Sequence, residues 1–279
     1  MTPTPAPVLF DRQLLRLRQR RAGALGAEGF LLDRVSDEMT ERLHAVLRDF
    51  AAGADIATPG PQLRDALSGR VGALSAIELG DDERLALKPQ SLDLAVSALA
   101  LQFVNDLPGV LAQIRRALKP DGLLLAVMTG GDTLFELRQA FAAAEAEIDG
   151  GVSPRVAPAA DLRDLGALLQ RAGFALPVTD VDRVVVRYDH AFALMQDLRR
   201  MGATNILIER SKKPLRRATL TRMAQIYAER FADPDGRIRA TFELIWLSGW
   251  APHDSQQQPL KPGSAQASFE HAVKGRKRE

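Results

Sequence analysis

Two neighbouring stretches decide the fold: Ser91-Leu-Asp-Leu-Ala-Val-Ser-Ala-Leu-Ala-Leu-Gln-Phe-Val-Asn-Asp-Leu-Pro108 and Ile114-Arg-Arg-Ala-Leu-Lys-Pro-Asp-Gly-Leu-Leu-Leu125. Residues 92–99 form a short apolar run of the kind a strand buried on both faces shows. Residues 107–118 have helical spacing. Lys119-Pro120-Asp121-Gly122 then reads as a turn, in which proline fixes one φ and glycine is expected to supply a positive one. Residues 123–128 follow as a second buried strand. Strand, helix, turn and strand in this order predict a parallel pair joined by a crossover helix.

Towards the N-terminus, residues 31–50 read as a helix through Val35, Met39, Leu43, Val46 and Leu47. A very short apolar run at 54–57 is closed by Thr58-Pro59-Gly60-Pro61. A helix over 62–67, a strand over 71–79 and an acidic loop, Asp81-Asp82-Glu83, come next. Towards the C-terminus, Gly130-Gly131-Asp132-Thr133 opens a helix running to about residue 148, and residues 159–172 form another, ended by Gly173. Strand-like segments at 176–181 and 184–188 precede helices near 191–201 and 215–232. The last strand, 241–250, carries Phe242, Trp246 and Trp250 at intervals of four on one face, a core pattern.

The whole predicts an α/β fold with a doubly wound, mostly parallel, Rossmann-like sheet. It has N-terminal helices and a helical insertion at about 190–235, before the last strand. Three parts are expected: a basic arm over 1–28, the α/β domain over 29–251, and a largely irregular tail over 252–279 in which Phe269 is the residue expected to dock.

Composition narrows the chemistry. The chain has 279 residues, 46% hydrophobic and 26% charged, enough to bury a sizeable core. No apolar run approaches the roughly 18 residues a spanning helix needs. The absence of cysteine excludes disulfides, thiolate zinc sites, cysteine-ligated iron–sulfur clusters and a cysteine nucleophile. His44, His190, His253 and His271 show no metal-ligand spacing, so no metal is expected. No Gly-x-Ser-x-Gly elbow is present. A net charge of +2 does not call for a nucleic-acid partner.

The basic residues gather at the two ends: Arg12, Arg16, Arg18, Arg20 and Arg21, then Lys274, Arg276, Lys277 and Arg278. Leu14, Leu15 and Leu17 interleave with the first group in a basic amphipathic helix, behind a Thr/Pro-rich opening expected to be disordered. One reading is an arm that touches an acidic partner or an anionic membrane surface; the other is a solvated helix packed through its leucines. A second basic stretch, with Lys212, Lys213 and Arg216, has Pro214 where a helix could start.

The order of strand, helix, Lys-Pro-Asp-Gly turn and strand resembles the second half of class I S-adenosylmethionine (SAM) methyltransferases. Leu9-Phe-Asp-Arg12, Gly130-Gly-Asp-Thr-Leu-Phe-Glu-Leu-Arg138, Asp164-Leu-Gly-Ala-Leu-Leu169 and Ser248-Gly-Trp250 narrow the likeness. They resemble the mitochondrial complex I assembly factor 5 family, methyltransferase-fold proteins implicated in arginine hydroxylation of a complex I subunit. The malonyl-acyl-carrier-protein methyltransferases of biotin synthesis are related. The likeness spans nearly the whole chain.

The resemblance implies SAM as cofactor, held by a glycine-rich loop after the first strand and by an acidic residue that binds the ribose hydroxyls. Asp55 keeps the acidic position, but Ala57, Pro59 and Pro61 stand where glycine is usual. No clear separate second strand ends in a ribose-binding acid, and Glu78 is the best substitute. Asp81 and Asp82 match the acidic position near the adenine, and Gln102-Phe103 replaces a His-Trp pair. The cofactor candidates are therefore Asp55, Thr58, Gly60, Glu78, Asp81, Asp82 and Ser97. Either Thr58 and Gly60 still line a SAM pocket, or a proline-stiffened turn merely connects strand to helix.

Gly130, Gly131, Asp132, Thr133 and Arg138 are the substrate candidates. Free N–H groups at a helix start can hold a carboxylate or a protein side chain, with Arg138 as an orienting cation. The plainer alternative is a cap by Asp132 or Thr133, completed by Glu136 as a capping box. No catalytic base is identifiable. The implied function is a methyltransferase-family protein acting on a protein partner in respiratory complex I assembly, by methylation or arginine hydroxylation of a subunit. It is expected in the cytoplasm, with peripheral contact at the inner membrane. The alternatives are a malonyl-acyl-carrier-protein or small-molecule O-methyltransferase, and a non-catalytic assembly chaperone.

Overall fold

Residues 8–257 are described by a computed structural model. The expectations placed on residues 1–7, on Phe269 and on the basic cluster Lys274 to Arg278 lie outside the described residues. In chain order the elements are α1 (Arg12–Ala24), α2 (Phe30–His44), β1 (Phe50–Ile56), α3 (Gln62–Ala66), β2 (Val71–Ile77) and β3 (Leu92–Ala98). A 3-10 turn at Leu101–Phe103 leads to α4 (Leu107–Ala117), β4 (Leu118–Thr129), α5 (Phe135–Ile148), α6 (Leu162–Arg171) and β5 (Ala175–Tyr188). The chain continues through α7 (Ala191–Arg200), α8 (Arg217–Phe231) and β6 (Ile238–Trp250).

One six-stranded sheet runs β2-β1-β3-β4-β6-β5. β1 pairs in parallel with β2 and β3, β3 pairs in parallel with β4, and β6 is antiparallel to both β4 and β5. This is the doubly wound, mostly parallel sheet expected, with α7 and α8 inserted before the last strand.

The two-residue period of the central strands divides the core between the faces of the sheet. Leu94, Val96, Leu123, Leu125 and Val127 pack with α2, α5, α7 and α8, whereas Ala95, Leu124, Ala126 and Met128 pack with α4 and α6. Because both faces are covered, β3 and β4 need near-continuous apolar sequence. That is why this stretch is the most legible part of the chain. Helix α4 starts where its chemistry says it should: Asp106 accepts the Gly109 N–H at 2.9 Å, and proline sits in the first turn, where a missing N–H costs little.

Several expectations are corrected. The helix expected over 31–50 stops at His44, because the Arg70 guanidinium donates to the carbonyls of Leu43, Val46 and Arg48 and turns the chain into β1. Phe50 is buried in that strand. The second strand that the sequence left indistinct is β2, ending one residue before Glu78. The segments 176–181 and 184–188 are the single edge strand β5. Its charged residues Asp180 and Asp182 reach Arg42 and Arg34 of α2, so charge interrupts the pattern without breaking the strand. The turn expected at Lys119–Gly122 is instead part of β4, at a shift in its register with β3, and it is Asp121, at φ 61°, that takes the positive φ; Arg48 and Gln256 hold its carboxylate. Helix α8 begins at Arg217, three residues past Pro214, and Arg216 pairs with Asp149. Trp246 is buried beneath the Arg42 guanidinium, 4.3 Å from its ring centroid, as a core residue.

The expected cap of α5 is also absent. Leu134, at φ 53°, occupies the N-cap position and no side chain caps the helix. Asp132 instead pairs with Arg183, and the Thr133 hydroxyl exchanges hydrogen bonds with the Glu243 backbone. Glu136 is 2% exposed and accepts from the Thr241 hydroxyl at 2.5 Å and from the Thr241 N–H at 3.2 Å. This carboxylate fastens α5 to β6. Glu136→Ala would leave two buried Thr241 donors unpaired and is expected to cost about 1–3 kcal/mol, read as a lower urea midpoint with an unchanged m-value.

Candidate functional site

The sheet opens where its winding reverses. β1 and β3 pair only as far as Asp55 and Val96. The Ala57 N–H then turns to Ile77 of β2, at 2.8 Å, and the Leu99 N–H turns to Val127 of β4, at 2.9 Å. The two central strands part. Ala57 and Leu99 both take left-handed backbone, at φ 57° and 53°, a conformation that strains an L-residue. Two hydroxyls stitch the gap: Ser97 Oγ donates to the Ile56 carbonyl at 2.8 Å, and Thr58 Oγ1 accepts the Ala98 N–H at 2.9 Å. A crevice at the carboxyl ends of parallel strands, at such a switch point, is where open α/β sheets bind ligands.

A cavity of about 840 Å³ fills this crevice. Its floor comes from Asp55, Thr58, Gly60, Glu78, Gly130 and Thr133, at the ends of β1, β2 and β4. Its walls and roof come from α1, the start of α2, residues 155–159 between α5 and α6, and residues 198–206 from the end of α7 onward. Arg12 ties the roof to the floor, donating to Leu79 O at 2.9 Å and Phe103 O at 3.2 Å. Asp11 caps α1, and Phe10 lies edge-on to Phe103. Glu145, 3% exposed, draws in the segment before α6 by accepting from Ser153 and Arg155.

The cavity contains polar groups that the protein leaves unused. Asp55 Oδ1, Gln62 Oε1, Gln102 Oε1 and Arg12 Nε are buried, lack hydrogen-bond partners, and belong to residues lining it. An orphaned buried polar atom is costly, so four around one cavity point to a ligand. Asp55 is the extreme case: its side chain is fully buried, with Oδ2 2.5 Å from Arg64 Nη1. Burial pushes its carboxyl above the usual range, against the lowering pull of Thr58 and of the Arg64 cation.

Of the residues expected from the sequence, the crevice therefore gathers Asp55, Thr58, Gly60, Glu78, Gly130 and Thr133. The others lie elsewhere. Asp81 is spent on Arg16, and Asp82 is exposed near Arg84. Ser97 serves the β1–β3 stitch, and Gly131 and Asp132 lie outside the cavity lining. Arg138 braces the loop by donating to Gly131 O at 2.7 Å. Gly130 owes its identity to packing, since a Cβ there would run into Glu243 and Ile245. Sequence reasoning did not place Arg12, Gln62, Arg64 or Gln102 in the site. Gln102 carried a signal, as the departure from the family's His-Trp pair, and so did Arg12, as the end of the Leu9–Arg12 motif that narrows the likeness.

Asp55→Asn removes the buried charge and leaves Arg64, 30% exposed, to water. Because the native carboxyl holds its proton more tightly than the unfolded one, its contribution to stability is lost as pH rises through the raised pKa. The variant is therefore expected to match or exceed the wild-type Tm at neutral pH, with its advantage shrinking as the pH is lowered; Tm curves for both proteins measure this.

The comparisons agree with this architecture. Residues 40–126 match the methyltransferase domain family. The mitochondrial arginine-hydroxylase NDUFAF5 of Danio rerio is 36% identical over 284 residues, covering 94% of this chain and 88% of that protein. A malonyl-[acyl-carrier protein] O-methyltransferase of Laribacter hongkongensis is 38% identical, covering 84% of this chain and 75% of that one. A candidate methyltransferase of Bacillus halodurans shares the fold, with TM-score 0.51 and 16% identity over 78% of this chain and 99% of that one. By identity and coverage, this chain belongs to the NDUFAF5 family of methyltransferase-fold proteins, with the malonyl-[acyl-carrier protein] O-methyltransferases as relatives.

Proposed function

We propose that this chain binds SAM in the crevice between β1 and β3 and modifies an arginine side chain of a protein partner in respiratory complex I assembly. The observation that carries the reading is the set of unpartnered groups around the cavity, with the buried Asp55 carboxylate at its base. The donor and acceptor set fits the cofactor: Asp55 and Glu78 offer carboxylate oxygens to its hydroxyl and amino groups, at the ends of adjacent strands β1 and β2. When bound, SAM would supply an electrophilic methyl group, which accounts for methylation; hydroxylation would further require dioxygen as the source of the oxygen atom and a two-electron reductant. Pro59 and Pro61 have no N–H to offer, so backbone donation in this loop falls to its other residues.

The arginine-hydroxylase relatives suggest the substrate side chain, and the cavity chemistry supports it. A guanidinium has five donors and no acceptor, and once Asp55 is given to the cofactor, Gln62 Oε1 and Gln102 Oε1 remain as unpartnered acceptors. Gln102 is held by donating Nε2 to Leu99 O at 2.8 Å, which leaves Oε1 as a fixed acceptor for such a donor. No helix among the described residues is long and apolar enough to cross a membrane, which suits a protein acting on a partner from the surface of an assembly.

Calorimetric titration of SAM tests the cofactor. The expected result is binding by the wild type and a loss of about tenfold or more, roughly 1.4 kcal/mol, in Asp55→Ala and Glu78→Ala, with the fold retained by circular dichroism. No binding by the wild type would leave a scaffold on a methyltransferase fold. Mass spectrometry of complex I subunits from cells with and without the protein tests the reaction. An arginine that gains one oxygen atom marks hydroxylation, one that gains a methyl group marks methylation, and unchanged arginines throughout would overturn the assignment.

A further inference from the structure

Beside the main cavity lies a second recess of about 210 Å³, lined by Arg18, Arg21, Arg199 and Thr204. Three guanidiniums, two from α1 and one from α7, line it with a hydroxyl and no acid. The ion pairs of this region go to Arg16, Arg200 and Arg210, and Arg21 and Arg199 have none among the described residues. Arg18 donates to the Asn205 carbonyl. Its burial, then the nearby Arg210 and Arg21 cations, pull its pKa below the usual arginine value against the opposing pull of Asp11, whose carboxylate pairs with Arg210, so the like charges that line the recess have no acid among them. Such an arrangement is costly until an anion occupies it.

The recess adjoins the main cavity, because Arg199 and Thr204 line both. A partner whose side chain enters the crevice would therefore bring its flanking residues beside the recess. We infer that this basic recess is a docking subsite for acidic side chains of the protein partner, flanking the residue that enters the crevice. The inference rests on the proposed action on a protein partner and adds to it a requirement for nearby Asp or Glu. Guanidinium forks suit carboxylates geometrically. The recess is a pocket between two helices, whereas a membrane surface would engage the outward-facing Arg20 on α1 equally well.

Fluorescence anisotropy with a labelled oligoglutamate peptide tests this on the full chain. Arg21→Gln and Arg199→Gln are each expected to weaken binding about fivefold, and added salt to weaken it further. Arg20→Gln removes the same charge from the same helix outside the recess and is expected to change binding less than about twofold. Equal losses in Arg20→Gln and Arg21→Gln would overturn the inference, since net charge alone would then explain binding. So would capture of phosphatidylglycerol vesicles, dependent on Arg21, by a protein that ignores oligoglutamate. SAM titration of the same preparations separates the two readings: a protein that binds SAM but not oligoglutamate retains the proposed function and loses only this subsite.

Discussion

The site depends on the parting of β1 and β3. A parallel sheet gains by continuing its ladder, and here the ladder stops at Asp55 and Val96, beyond which the Ala57 and Leu99 N–H groups bond to the outer neighbours β2 and β4. The left-handed turns at Ala57 and Leu99 steer the chains apart. Ser97 and Thr58 supply side-chain hydrogen bonds in place of missing ladder bonds, so the crevice opens without leaving those backbone groups unpaired. Everything around the cavity is arranged about this gap.

Buried carboxylates do much of the arranging. Glu136 fastens α5 to β6, Glu145 draws in the segment before α6, and Glu83 accepts from the Asn105 and Asp106 N–H groups, fixing the entry to α4. Asn105 in turn accepts the Leu9 and Phe10 N–H groups and holds the chain leading into α1. In these cases the oxygens are satisfied by loop backbone or side chains, the condition for burying a charge without heavy cost. Asp55 departs from this pattern, with one oxygen on Arg64 and the other left over. A stability cost accepted at one carboxylate, amid satisfied neighbours, is the mark of a ligand-facing group.

The relation between the cofactor crevice and the basic recess follows from the N-terminal helix. α1 sits across the carboxyl ends of the strands, with Leu15 and Ala22 buried and Leu17 half exposed. Arg12, on the turn that begins the helix, bonds the floor; Arg18 and Arg21, further along, line the recess. One helix thus contributes to closing the cavity and to the charge beside it. Its arginines are divided between bonds within the protein and a surface available to a partner.

The sequence by itself determined the sheet and its winding. Strands buried on both faces must be apolar throughout, helices flanking them must be amphipathic, and these local patterns survive without any knowledge of contacts. Asp55, Thr58, Gly60 and Glu78 were marked by the family resemblance, which assigns the cofactor to the loops that follow the first strands. The edge strand β5 and the end of α2 were less legible. The first is interrupted by charges that pair with α2, and the second is stopped by Arg70, a residue more than twenty positions away. Only the tertiary structure decided which polar groups face the cavity. Asp81 and Asp132 are spent on arginines distant in sequence, while Gln62 and Gln102 are brought to the cavity with an acceptor each to spare. Whether a polar side chain is satisfied depends on long-range partners, and a one-dimensional pattern carries no record of them.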